Sequence, residues 1–200
     1  MSQEHEQHNG CGCHATQNVQ NISTFASCGQ SKFVGAGDEP RTADAKLDFI
    51  YPPVVFPSNN ILKAAGEQKI RAMVLYHHSL LRKSSVGDMF PSDEAAFLEG
   101  TDKTADFFVE ALGGGDVFSS KHGHPALRSR HFRFIIDEKG REIWLMLYKK
   151  TLKDIEFPKE YIEEFWNWIE PLSIRMINRR TTALPPERHS FESIKSEFGL

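Results

Sequence analysis

The stretch His122–Leu152, HGHPALRSRHFRFIIDEKGREIWLMLYKKTL, sets the reading of the whole chain. It has three parts. His131 follows directly on a basic run, Arg128-Ser129-Arg130. A turn led by Asp137 and closed by Gly140-Arg141 comes next, and a nearly all-apolar helix then carries Trp144. A neutral imidazole can ligate a metal, arginines pair with acidic groups, and an indole can close an apolar pocket while offering one N–H. By residue type alone, His122, His124 and His131 read as surface loop histidines, with zinc or another metal as the rarer reading.

The longer pattern is more specific. Gly123-His124-Pro125-x-Leu127-Arg128-x-Arg130-His131-x-x-Phe134, followed by Arg141-x-x-Trp144-Leu145, resembles group II of the truncated haemoglobins. The resemblance, and not composition or periodicity, implies a two-over-two helical sandwich around one haem b. It makes His131 the proximal iron ligand and puts Trp144 on the distal side. A haem also wants cations for its propionates and a dry pocket with few donors. Arg130, and after it Lys103, are the candidates for a propionate.

Upstream of that motif the chain reads as helices. Ser58-Asn59-Asn60 can cap a short helix from Ile61, ending at Gly66. From Glu67 to Lys83, Ile70, Met73, Val74, His77 or His78, and Leu81 recur at helical spacing on one face. The family usually has a tyrosine on this helix above the haem. Matching Met73-Val74 to its paired aliphatics puts His78 there, or His77 if the register shifts by one. Phe90, before Pro91, matches the family's corner aromatic on the haem plane. Ser92 is expected to cap a helix with Asp93 and Glu94 in its first turn, Gly100 to interrupt it, and Thr104, Phe107, Phe108, Ala111 and Leu112 to carry its apolar face. Thr104 would face the ligand, Gly100 would leave an open gate, and Phe107 counts among the cofactor-lining residues with Phe134. Gly113-Gly114-Gly115 follows a helix and lacks a Lys-Ser/Thr, so it is a chain reversal and not a phosphate loop. The loop after it, expected to be long and mostly unstructured, carries Phe118 and then His131 under the haem.

Downstream, Phe157-Pro158 should open another helix, with Tyr161, Phe165, Trp168, Ile169, Leu172 and Met176 in register and a kink at Pro171. Its aromatic stripe is core. The domain is therefore all-α and spans about 61–180. An extended proline-rich arm (46–60, with FIYPPVVFP inside it) precedes it, and a tail (181–200) with a marginal Phe191/Ile194/Phe198 helix follows. Residues 1–45, rich in Gln, Asn, Ser, Gly and His, lack a buriable pattern and read as a disordered tail. Its His5, His8, Cys11, Cys13 and His14 are soft-metal donors, but the spacing falls one residue short of Cys-x-x-Cys-His, and a solvated tail is the preferred reading.

A net charge of −3 argues against a nucleic-acid partner that works by neutralising phosphates. No stretch is long and apolar enough to span a membrane, no signal-peptide core is visible, and 3 cysteines give no disulfide framework. The expectation is a cytoplasmic protein with reduced thiols. Two classes of function follow from the resemblance. One is reversible binding of a diatomic gas (O₂, NO or CO). The other is haem redox chemistry: NO dioxygenase or peroxidase-like turnover served by a reductase, or a bis-histidyl electron-transfer or sensor protein. His131 is common to all of these, so the distal side must separate them.

Overall fold

The computed structural model describes residues 51–200, and every element among them is helical. In chain order these are α1 (Asn60–Ala65), α2 (Glu67–Arg82), α3 (Glu94–Ala111), α4 (Ser119–His122), α5 (Leu127–His131), α6 (Glu138–Asp154), α7 (Ile162–Met176) and α8 (Phe191–Ile194). Short 3₁₀ turns occur at Gly87–Met89, Lys159–Tyr161 and Lys195–Phe198. The cluster of His5, His8, Cys11, Cys13 and His14 lies outside the described residues.

Helix α2 packs on both α3 and α6, and α6 packs on α7, so two helix pairs face each other. The apolar faces read from the sequence are the ones buried. Ile70, Met73 and Val74 of α2 meet Phe107, Phe108 and Val109 of α3, Leu145 and Tyr148 of α6, and Phe165, Trp168 and Ile169 of α7. Aromatic edges fix the centre: Phe108 lies 5.3 Å from Trp168 and 6.2 Å from Tyr148, ring centre to ring centre. Such contacts add roughly 0.5–1.5 kcal/mol each beyond burial alone.

Local expectations were corrected in four places. The cap of α3 is Asp93, whose carboxylate accepts from Ala96 N at 2.8 Å, and not Ser92. Gly100 does not interrupt α3, because helix–helix packing outweighs the roughly 1 kcal/mol propensity loss of one glycine. The loop beyond Gly115 contains two short helices, α4 and α5. Helix α7 starts at Ile162, one 3₁₀ turn after Pro158, and Pro171 lies inside it without ending it. The glycine run does reverse the chain: Gly113 has φ +93°, and a Cβ there would come within 2.5 Å of the Asn59 side chain.

Residues 181–200 dock on the core instead of trailing from it. Phe191, Ile194 and Phe198 are buried, and Trp166 donates its indole N–H to His189 O at 2.6 Å. Beneath that contact lies a buried ion cluster. Arg141, 2 % exposed, meets Glu170 at 2.7 Å and Ser173 Oγ at 2.9 Å, and also donates to Glu187 O; Arg188 reaches Glu170 from the other side. Removing one partner of such a pair strands the other charge away from water. Glu170→Gln is therefore expected to lower unfolding free energy by roughly 3 to 5 kcal/mol in urea titrations, and the double change Arg141→Met with Glu170→Met to recover much of that loss.

Candidate functional site

The segment between α3 and α6 cannot form one long helix, because Gly113–Gly115 and Pro125 break it, so its backbone must be held by side chains. Glu110, at the end of α3, accepts from Phe118 N (2.8 Å) and Ser119 N (2.7 Å) and so caps α4. Asp106, 1 % exposed, takes Lys121 at 2.8 Å and Arg71 at 2.7 Å. Arg130 donates to three carbonyls of the same loop: Pro125 (2.8 Å), His122 (2.8 Å) and His124 (3.2 Å). Ala126 is left-handed at φ +40°, a conformation unfavourable by roughly 1–2 kcal/mol, and its N–H is held by His124 Nδ1 at 3.0 Å. These bonds deliver α5, and His131 at its end.

His131 Nδ1 lies 2.6 Å from Leu127 O, one turn back. A carbonyl only accepts, so Nδ1 carries the proton and Nε2 keeps its lone pair free. His78 repeats the arrangement on α2, with Nδ1 donating to Val74 O at 2.8 Å. Its ring meets Phe90 edge-on at 5.8 Å, and Phe90 in turn meets Phe97 at 6.1 Å. The two free Nε2 atoms belong to histidines close enough that a charge on His131 disfavours one on His78. Burial lowers the pKa of both; for His78 it falls from an ordinary 6.5 to about 4. Both rings are neutral at pH 7, as a metal ligand must be.

His77 points elsewhere. Wholly buried, it donates from Nε2 to Trp144 O at 3.1 Å and lies on the Tyr148 ring at 3.7 Å. Its Nδ1 has no donor among the described residues. Burial takes its pKa well below 6.5, so it too stays neutral. Trp144, half-buried, meets His77 at 5.3 Å and Tyr148 at 4.4 Å, and its indole N–H has no acceptor among the described residues.

The remaining expected residues divide. Phe134 lies 6.2 Å from His131, and Phe118 packs under Phe107 at 6.0 Å. Thr104 donates its hydroxyl to Gly100 O at 3.0 Å, within its own helix. Lys103 is half-buried on α3 with no ion pair among the described residues. The guanidinium of Arg130 is engaged by loop carbonyls through Nε and one terminal nitrogen, leaving the other terminal nitrogen for an outside acceptor. Two residues have positioning roles that went unseen in the sequence, although Arg128 already stands in the motif. Asn178 donates to His131 O (2.9 Å) and Phe134 O (3.0 Å) and accepts from Ile136 N (3.1 Å). Arg128 donates to Ile177 O at 3.0 Å and also to Arg175 O. Their only sequence signal is polarity, at positions 42 to 49 residues distant from their partners.

Two facing helix pairs, with two neutral imidazoles on α2 and α5 near enough to interact electrostatically, define a histidine-lined cofactor protein of the globin type. Comparison with known proteins gives the family. The bacterial-like globin family model matches residues 63–178. The structure of phosphate-bound Hell's gate globin IV superposes with a TM-score of 0.75 at 46% identity, covering 79% of this chain and 99% of that one. The group II truncated haemoglobin of Bacillus anthracis gives 0.54 at 30% identity, covering 61% and 93%. The group 2 truncated haemoglobin YjbI of Bacillus subtilis (strain 168) is 27% identical over 118 residues, covering 58% of this chain and 87% of that one. The chain belongs to the bacterial-like globin family and, within it, to the group II truncated, two-over-two haemoglobins.

Membership implies a haem and small gas ligands, and the residues present fit a haem. Neutral imidazoles with free Nε2 atoms stand on two elements, Phe90 lies against His78 and Phe134 near His131, and none of the described helices is long and apolar enough to cross a membrane.

The lowered histidine pKa values carry a sign. Between about pH 4 and 6.5 the unfolded chain takes up a proton at this position that folded His78 refuses, so stability rises with pH across that window. In haem-free protein, NMR titration of His78 should give a midpoint near 4, and unfolding free energy should fall as pH drops from 6.5 toward 4. In His78→Phe that part of the pH dependence should be gone.

Proposed function

We propose that this protein binds haem b through His131 and takes a diatomic gas (O₂, NO or CO) on the opposite face, beside His78 and Trp144. One observation supports the reading: both His131 and His78 are tied at Nδ1 to the carbonyl four residues back, leaving two neutral Nε2 atoms free, on histidines near enough that a charge on one disfavours a charge on the other. Haem b, when bound, supplies an iron with one position for the protein and one for the gas. Everything else falls to the chain.

His131 is the ligating imidazole. Its Nδ1–H bond to Leu127 O fixes the ring and raises its basicity as a ligand. Phe118 and Phe134 exclude water on that side, and Phe90 walls the distal side next to His78. Trp144 offers its indole N–H to a ligand that gains partial negative charge, which favours slow release. His78, with its proton on Nδ1, offers a lone pair at Nε2, and donates there only in the other tautomer, after giving up Val74 O. Lys103 and the free nitrogen of Arg130 meet the propionates. Phe107 supports Phe118 from α3. Thr104, its hydroxyl already bonded to Gly100 O, presents its methyl group to the pocket.

A second reading rests on the same pair of histidines. If His78 reaches the iron, the resting protein is bis-histidyl and suits electron transfer or sensing instead of gas storage. His131→Gly should lose haem, with recovery on adding imidazole. In His78→Phe, donation from the Nε2–H tautomer predicts an O₂ dissociation rate raised roughly tenfold or more, because a hydrogen bond to a charged group contributes about 1.5–3 kcal/mol. Ligation predicts instead a low-spin six-coordinate spectrum in the unliganded wild type that turns five-coordinate in the variant. A variant unchanged in both rate and spectrum would remove His78 from the site.

A further inference from the structure

The histidine loop is basic and has no acidic residue of its own. From Val117 to Ile136 the sequence contains Lys121, Arg128, Arg130 and Arg133 and no Asp or Glu, in a protein of net charge −3. Arg71, Arg82, Arg141, Arg180 and Arg188 each meet a carboxylate. Those near His131 meet no carboxylate among the described residues. Arg128 and Arg130 bind only carbonyls and aromatic faces, Arg133 lies 4.7 Å over the Phe134 ring, and Arg175 donates to Pro52 O and lies over Tyr51. Within this positive rim sit two of the most exposed apolar side chains of the described residues, Phe132 at 59% and Ile135 at 66%. Arg128 stands 5.6 Å over the Phe132 ring.

Exposed aromatic and aliphatic groups ringed by unpaired arginines have the composition of an interface centre with a steering rim, not of an ordinary solvated surface. The partner must supply carboxylates. Phe132 is bonded directly to the residue proposed as the iron's ligand, so a protein seated here stands next to the haem's edge. Binding O₂ or CO requires ferrous iron, so the chemistry also calls for a one-electron donor. Resting on the proposed function, we infer that the surface formed by Arg128, Phe132, Arg133, Ile135 and Arg175 docks an acidic electron-transfer protein. One electron passes from the donor's reduced centre to ferric iron, which becomes ferrous, while the donor is oxidised by one electron. No bond of the globin forms or breaks. A small patch with salt-screened steering suits a brief encounter that releases after transfer. The other polyanions fit less well. A nucleic acid would meet a chain of net negative charge, and a bilayer would meet a patch only two apolar side chains deep.

The test uses the full-length ferric haem protein and reduced flavodoxin as the acidic donor, mixed rapidly under CO so that each reduced iron is trapped. Complex formation is followed separately by calorimetric titration. The expected result is a second-order reduction rate that falls steeply with ionic strength, and roughly a tenfold or greater loss of rate and affinity in Phe132→Ser with Arg133→Glu. Reduction by dithionite and the absorption spectrum should match wild type in that variant. Arg133→Glu alone keeps the core untouched and should give an intermediate loss. A salt-independent wild-type rate, a double variant reduced as fast as wild type, or titration by anionic vesicles in place of flavodoxin would overturn the docking surface. Lack of a haem spectrum in the purified wild type would instead overturn the gas-binding reading, while the calorimetric titration would still judge the surface.

Discussion

One asparagine shows what the rest of the site depends on. Asn178 holds the end of α5 with both amide hydrogens, on His131 O and Phe134 O, and takes Ile136 N–H on its oxygen. A helix as short as α5 cannot be stable by itself, because nucleating a turn fixes several residues for one hydrogen bond. Its position must come from outside. Arg128 ties its start to the end of α7, Asn178 ties its end to the same place, and Arg130 folds the preceding loop beneath it. The histidine is thus mounted on α7 across the chain instead of on its own neighbours. That mounting lets a loop, which could never pack as a rigid helix, present an imidazole in a fixed orientation.

The legibility of the sequence follows the range of the interactions. Helices α2, α3, α6 and α7 were readable because their apolar periods are local, and the family because a dense motif runs from Gly123 to Leu145. His77 and His78 were not separable. Neighbours on a helix differ by about 100° of rotation, and both faces of α2 at that level border apolar groups. Only the packing of α2 on α6 decides, turning His77 to the Trp144 carbonyl and the Tyr148 ring while His78 turns to Phe90. Arg130 is a different case. Its type suggested a carboxylate partner, yet a loop with unpaired carbonyls offers acceptors nearer at hand, and it takes three of them.

The C-terminal segment was legible only as a marginal helix with its docking left open, for a related reason. Ala183-Leu184-Pro185-Pro186 reads as a boundary, and four residues of α8 are too few to show a period. What fixes the segment is Glu170, inside α7, which draws in Arg141, Arg188 and the His189 N–H together. Charges buried in this way are compensated only when every member is present, so docking of the segment and formation of the cluster are one event. The same α7 carries Trp166, whose indole closes on His189 O, and continues to Asn178 just past its end. One helix therefore joins the tail to the histidine loop.

The neutrality of the paired histidines resolves a conflict within each. The carbonyl that orients the ring, Val74 O for His78 and Leu127 O for His131, favours the protonated imidazole, because it is a hydrogen-bond acceptor. Burial opposes it and is the larger effect in both. If the balance were reversed, each ring would be well aimed but cationic, with no lone pair to offer and a like charge across the gap. An exposed loop histidine anchored by the same carbonyl would end in that state. Aromatic walls such as Phe90 and Phe134 do more than shape the space, since they supply the desolvation that turns two oriented side chains into two usable ones.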